Sequence, residues 1–132
     1  MKIAATLLIA ALALAGCGAT TSPEVASTTG VRTVSPAAAT ALIASGDVTV
    51  IDVRTPQEFA AGHVAGATNI NVEAADFGDR IATLDAGDPY VVYCRSGRRS
   101  AVAADLMKTA GFTDVADAGG LDALIAAGAA TQ

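Results

Sequence analysis

Apolar positions in this chain change rhythm along its length, and the changes are punctuated. Val48 to Val53 (VTVIDV) is nearly continuous and β-branched, which predicts a strand buried on both faces. Tyr90 to Tyr93 (YVVY) predicts a second such strand, with further short ones over Ala67 to Val72 and Thr113 to Ala116. Between them the spacing turns helical. Ser35-Pro36 supplies an N-cap and a first-turn proline for a helix that Gly46 stops. Thr55-Pro56-Gln57-Glu58 is a capping box for a short helix ending near Gly62. Apolar positions at Ala74, Phe77, Ile81 and Leu84 predict a helix over Glu73 to Leu84. Val102, Ala103, Leu106, Met107 and Ala110 predict one apolar face on a helix from Ser100, ended by Gly111. A last helix is predicted over Leu121 to Ala127.

Strands alternating with helices imply crossover connections. The expected fold is a single α/β domain over residues 31–132, with a central, mainly parallel sheet flanked by helices on both faces. In such sheets ligands bind beyond the carboxyl ends of the strands. Cys94 follows the YVVY strand directly and precedes a helix, which puts it at that place.

The N-terminus follows another pattern. Met1-Lys2 precedes an apolar run from Ile3 to Ala15, interrupted only by Thr6, too short for a membrane-spanning helix and suited to a secretory signal. The 52% hydrophobic content is thus partly a property of this leader. Leu14-Ala15-Gly16-Cys17 resembles the lipobox of bacterial lipoproteins, in which the signal is cut before the Cys and the Cys is lipidated. The resemblance implies a signal peptide over 1–16 and a lipid-anchored Cys17. It also implies a domain outside the cytoplasm, held at the bacterial membrane or cell envelope; the other reading is an ordinary signal with a chance Cys. Residues 17–30 are small and polar without periodicity, as a tether would be.

The chain of 132 residues carries a formal net charge of −5, which speaks against a nucleic-acid partner. Against that background, Arg95, Arg98 and Arg99 crowd within five residues of Cys94. With Cys17 lipidated, Cys94 is the only free thiol, and a lone Cys in an exported protein points to a partner or a reactive thiol. The turn CRSGRR opens a helix, where free N–H groups and the dipole favour anions, and Gly97 lets the loop curl into an N–H concavity. Helix start, concavity and arginines all favour thiolate, so the pKa of Cys94 is expected to fall and the residue to act as a nucleophile. The bland alternative is a buried, inert thiol at a strand end.

CRSGRRS (Cys94 to Ser100) and IDVRTPQEFAAGHVAGATNIN (Ile51 to Asn71) resemble the two signatures of the rhodanese family of sulfurtransferases, in its single-domain form. The resemblance runs from about Val31 to Ala127. It implies that Cys94 takes the outer sulfur of a donor such as thiosulfate as a persulfide. A thiol or cyanide acceptor then removes it, while the loop Arg95, Ser96, Gly97, Arg98 and Arg99 cradles the sulfur. Arg99 is expected to orient the loop, and Arg98 to be solvated or to meet an anionic substrate. Asp52, Arg54, Glu58 and His63 are expected to support the site structurally, with Glu58 in its cap and pairing with Arg54. No metal or organic cofactor is expected.

One departure and two rivals accompany the resemblance. Leu124 stands where the family's G-G-x-x-x-Trp motif, here from Gly119, often has Trp, so packing at the C-terminal end must differ. The cell-cycle phosphatases that share this fold use Cys, five residues, then Arg; here that place holds Ser100. The remaining rival is an envelope-anchored persulfide carrier, or a sulfur-sensing, partner-binding module, without significant thiosulfate turnover.

Overall fold

The computed structural model describes residues 30–132. The expected signal peptide, Cys17 and almost all of the tether lie outside the described residues. Five strands and five helices alternate: β1 (Gly30–Thr33), α1 (Pro36–Ser45), β2 (Thr49–Asp52), α2 (Pro56–Ala60), β3 (Thr68–Asn69), α3 (Phe77–Ile81), β4 (Pro89–Cys94), α4 (Arg98–Thr109), β5 (Asp114–Gly120) and α5 (Leu121–Ala126). The sheet has the order β1-β5-β4-β2-β3 and every pairing is parallel. This is the expected α/β fold, with β4 in the middle of the sheet.

Strand alternation splits the core in two. Ile51, Val92, Cys94 and Val115 face one way and pack with Phe77, Ile81, Ala103 and Met107 from α3 and α4. Val50, Val91, Tyr93 and Ala116 face the other way and pack with Ala39 of α1 and Leu124 of α5. Successive residues of β4, Tyr93 and Cys94, therefore serve opposite faces of the sheet.

The helix ends follow their sequence signals. Ser35 Oγ accepts from Ala38 N and Gly46 closes α1. Thr55 and Glu58 form a complete capping box on α2.

Several expectations need correction. β1 is an unanticipated strand that takes in Gly30; it is a four-residue edge strand carried by its pairing with β5 rather than by a local apolar run. The helix expected over Glu73 to Leu84 shrinks to Phe77–Ile81, because Asn71 Oδ1 accepts from Glu73 N and turns the chain first. α4 starts at Arg98, two residues before Ser100, since Gly97 in the left-handed conformation (φ 99°) already aims the chain into the helix. Its buried stripe is Ser100, Ala103, Ala104 and Met107. Val102 and Leu106, expected inside, are 50% and 44% exposed. β5 runs on to Gly120, well beyond Ala116, because its pairing with β4 continues as far as Cys94.

Candidate active site

The carboxyl ends of the three central strands meet at Cys94. It is the last residue of β4, between Asp52 ending β2 and Gly120 ending β5. The β4–β5 register slips here: Val92 pairs with Asp117 but Cys94 pairs with Gly120, so β5 carries one extra residue. That bulge brings the Gly119-Gly120 backbone against the loop after Cys94. A Cβ on Gly120 would lie 2.5 Å from Arg95 O and 3.2 Å from Ser96 Cα, so only glycine allows this approach. Asp117 Oδ1 accepts from Gly119 N at 3.1 Å and shapes the turn.

The loop curls back over the sulfur. Gly97 N donates to Cys94 Sγ at 3.0 Å. Ser100 Oγ lies 3.6 Å from the sulfur and donates to Gly97 O at 3.0 Å. Burial pushes the Cys94 thiol up, but the N–H and hydroxyl of Ser100 and the N–H groups of Gly97 and Ser96 outweigh it, and the net shift is downward. The bland reading was half right about place: Cys94 is fully buried. Polar groups of the loop nonetheless reach the sulfur and stabilise the thiolate.

Arg99 turns away from the sulfur and pairs with Glu58 at 2.7 Å and Glu73 at 3.3 Å. The partner of Glu58 is thus Arg99, not Arg54, because Arg54 is already committed elsewhere. Arg99 holds the Glu58 carboxyl down at about 2, with the Thr55 N–H and hydroxyl assisting. The α2 cap is therefore clamped to the loop at the start of α4. Arg95 and Arg98 are exposed and form no ion pair among the described residues. Backbone N–H groups and Ser100, rather than arginine side chains, are what touch the sulfur.

Asp52 and Arg54 form a buried pair under the site. Arg54 Nε lies 3.0 Å from both Asp52 oxygens and Nη2 donates to Oδ2 at 2.6 Å. Tyr93 O–H donates to Asp52 Oδ2 at 2.7 Å and accepts from Val64 N at 3.0 Å. Burial and this bond to Asp52 keep the phenol protonated far above its ordinary range. Arg54 Nη2 also donates to Gly62 O. Asn69 donates to the carbonyls of Asp52 and Arg54, tying β3 to the end of β2. His63 lies apart from Cys94: its ring stacks on Phe59 at 3.6 Å, Nδ1 meets Phe59 O at 2.8 Å, and Nε2 meets the Gln132 amide.

Sequence reading alone missed Ser100 as a partner of the thiol, and Gly120 and Tyr93 as supports. Ser100 had a signal, a hydroxyl one turn into the helix after the loop. Gly120 had only a glycine pair in a strand. Among the described residues no three His, Cys, Asp or Glu side chains gather as metal ligands.

The arrangement is a small anion cradle around a low-pKa thiol. Comparison with known proteins points the same way. Residues 35–127 match the family model described as Rhodanese-like domain. Thiosulfate sulfurtransferase PspE of Escherichia coli (strain K12) is 42% identical over 73 residues, 54% of this chain and 68% of that protein. Thiosulfate sulfurtransferase GlpE of Pseudomonas entomophila is 46% identical over 85 residues, 64% of this chain and 74% of that protein. The solution structure of the rhodanese-like domain of the Alr3790 protein from Anabaena sp. superposes with a TM-score of 0.68 at 28% identity, covering 76% of this chain and 77% of that one.

Proposed function

Because the chain belongs to the rhodanese-like family, we propose that it is a sulfurtransferase that moves sulfane sulfur through a persulfide on Cys94. The observation that carries this is the thiolate site itself, a buried sulfur receiving Gly97 N at 3.0 Å with Ser100 Oγ beside it. The names of the curated relatives supply thiosulfate as the donor to test first.

In the first step the Cys94 thiolate attacks the outer sulfur of thiosulfate. A sulfur–sulfur bond forms to Cys94, the bond to the sulfonate breaks, and sulfite leaves with its electron pair. We take the charge left on the outer persulfide sulfur to be held by the N–H groups of the curled loop, of which Gly97 N already meets Cys94 Sγ. The Ser100 hydroxyl has one proton. It donates to Gly97 O when the thiol is neutral and turns to the sulfur when charge develops there. In the second step cyanide or a thiolate attacks the outer sulfur and departs as thiocyanate or a persulfide, which returns the Cys94 thiolate.

Phosphoryl chemistry fits poorly. The place where a phosphatase would need Arg holds Ser100, fully buried near the sulfur, and Arg99 is engaged by Glu58 and Glu73. The test is intact-mass measurement after incubation with thiosulfate. The chain should gain the mass of one sulfur atom, cyanide should remove it, and Cys94→Ser should abolish it. No cyanide-labile adduct would refute the proposal.

Membrane attachment through an acylated Cys17 belongs to the same proposal and rests on the Leu14 to Cys17 sequence. Cys17→Ser should move the protein from the membrane to the soluble fraction. An unchanged membrane fraction would sink that part alone.

A further inference from the structure

A groove leads away from the cradle along α4. Its near end is a cleft of about 390 Å³ beside the catalytic loop, lined by Ser96, Arg98, Arg99, Glu73, Val72 and Val102. A second cleft of about 390 Å³ shares Val72 and continues between α4 and α3, over Phe77, Ile81, Leu106 and Ala110. Arg98, Val102 and Leu106 are four residues apart and so lie along one side of α4. This explains the two apolar side chains left half exposed: they form one wall of the groove.

The groove does not suit thiosulfate or cyanide, which are a few atoms across. From Arg98 to Ala110 it follows about 18 Å of helix, at 1.5 Å per residue. About five residues of extended chain span that length. Its far part is apolar, whereas its mouth carries Arg98, exposed and without an ion-pair partner among the described residues. The occupant this fits is anionic at the end next to the reactive sulfur and apolar beyond it.

We infer that the groove receives the physiological acceptor as an extended protein segment, with a cysteine beside an acidic residue and apolar side chains two and four positions further on. The acidic group meets Arg98, the alternate apolar side chains enter between Leu106 and Phe77, and the cysteine takes the outer sulfur of the Cys94 persulfide. This rests on the persulfide reading above. The transfer balances as before: the acceptor thiolate bonds to the outer sulfur, the bond to Cys94 breaks, and Cys94 keeps the electron pair.

The test uses the full chain, loaded with sulfur from thiosulfate, and three synthetic peptides. One carries Asp-Cys-Gly-Leu-Ala-Leu, one has Ser in place of both Leu, and one has Lys in place of Asp. The Leu peptide should discharge the persulfide about tenfold faster than the Ser peptide, as expected for burial of about one Leu side chain. Leu106→Glu and, separately, Val102→Glu should erase that preference while discharge by cyanide stays within about twofold of wild type. The Lys peptide should be slower than the Asp peptide, more so at low salt. Equal rates for the Leu and Ser peptides, or a preference that survives both substitutions, would overturn the inference while leaving the sulfurtransferase reading intact. A concentration-dependent dimer that Leu106→Glu dissociates would overturn it too, assigning the groove to a second copy. Absence of any persulfide would instead remove the reading on which it rests.

Discussion

Gly120→Ala tests whether the catalytic loop works by its backbone. The added methyl would stand 2.5 Å from Arg95 O and 3.1 Å from Arg95 C, where ordinary contact begins near 3.4 Å. Both atoms are backbone, so no side chain can swing aside; the loop must lift by about 0.9 Å, the difference between those distances. Overpacking of this kind costs about 1–3 kcal/mol of stability. The larger effect is chemical. Lifting the loop pulls the Gly97 N–H, now 3.0 Å away, off the sulfur. A hydrogen bond to a charged group contributes about 1.5–3 kcal/mol, so losing one such bond moves the thiol pKa up. The assay is the pH dependence of Cys94 alkylation by iodoacetamide, read alongside thiocyanate formation from thiosulfate and cyanide. Below the thiol pKa the alkylation rate should fall about tenfold or more, following the thiolate fraction. Gly119→Ala is the control: its Cβ enters open space, but its φ of +76° strains any other residue, costing about 1–2 kcal/mol of stability. Gly120→Ala should therefore shift the pH profile far more than Gly119→Ala at comparable loss of stability. A folded Gly120→Ala protein with an unshifted thiol pKa and full turnover would refute the reasoning.

Three further outcomes are expected. Ser100→Ala should raise the pKa of Cys94 and slow persulfide formation, measured by the same alkylation profile, because the hydroxyl beside the sulfur that favours the thiolate is lost. Glu58→Gln should lower stability most above pH 4.5. The folded Glu58 carboxyl titrates at about 2, so its contribution is complete above the unfolded value and fades as pH falls through about 2; denaturation of both proteins across pH 2–6 should show their difference closing in acid. Asp52→Ala should cost about 3–5 kcal/mol in urea denaturation, since it strands a buried guanidinium and unpairs the Tyr93 hydroxyl.

What was legible in the sequence was what local signals encode. VTVIDV and YVVY announced the two strands that flank the site, and the Thr55 capping box formed as written. CRSGRRS placed the thiol at a strand end and helix start, where it lies. The misreadings share a physical cause: each concerned a choice among partners distant in the chain. Periodicity assigned Val102 and Leu106 to the core, but Ala103, Ala104 and Met107 already fill α4's contact with the sheet. Charge proximity suggested that three arginines activate Cys94 and that Glu58 joins Arg54. Yet Arg54 is held by Asp52 at the end of its own strand, which leaves Glu58 to Arg99, forty-one positions away. Likewise the glycine pair at 119–120 became meaningful only once β5 lay beside β4 and the Arg95 carbonyl came down on it.

The clamp from Glu58 to Arg99 has a consequence for when the thiol becomes reactive. The parts that hold the catalytic loop come from separate stretches of chain: the α2 cap, the start of α4 and the bulged end of β5. None of them can shape the loop until the sheet between them has closed. A newly made or partly unfolded chain therefore carries a cysteine with an ordinary thiol's pKa, slow to react at neutral pH. The lowered thiol pKa is therefore a property of the closed fold alone, and the pH dependence of Cys94 alkylation reads whether the loop has been assembled.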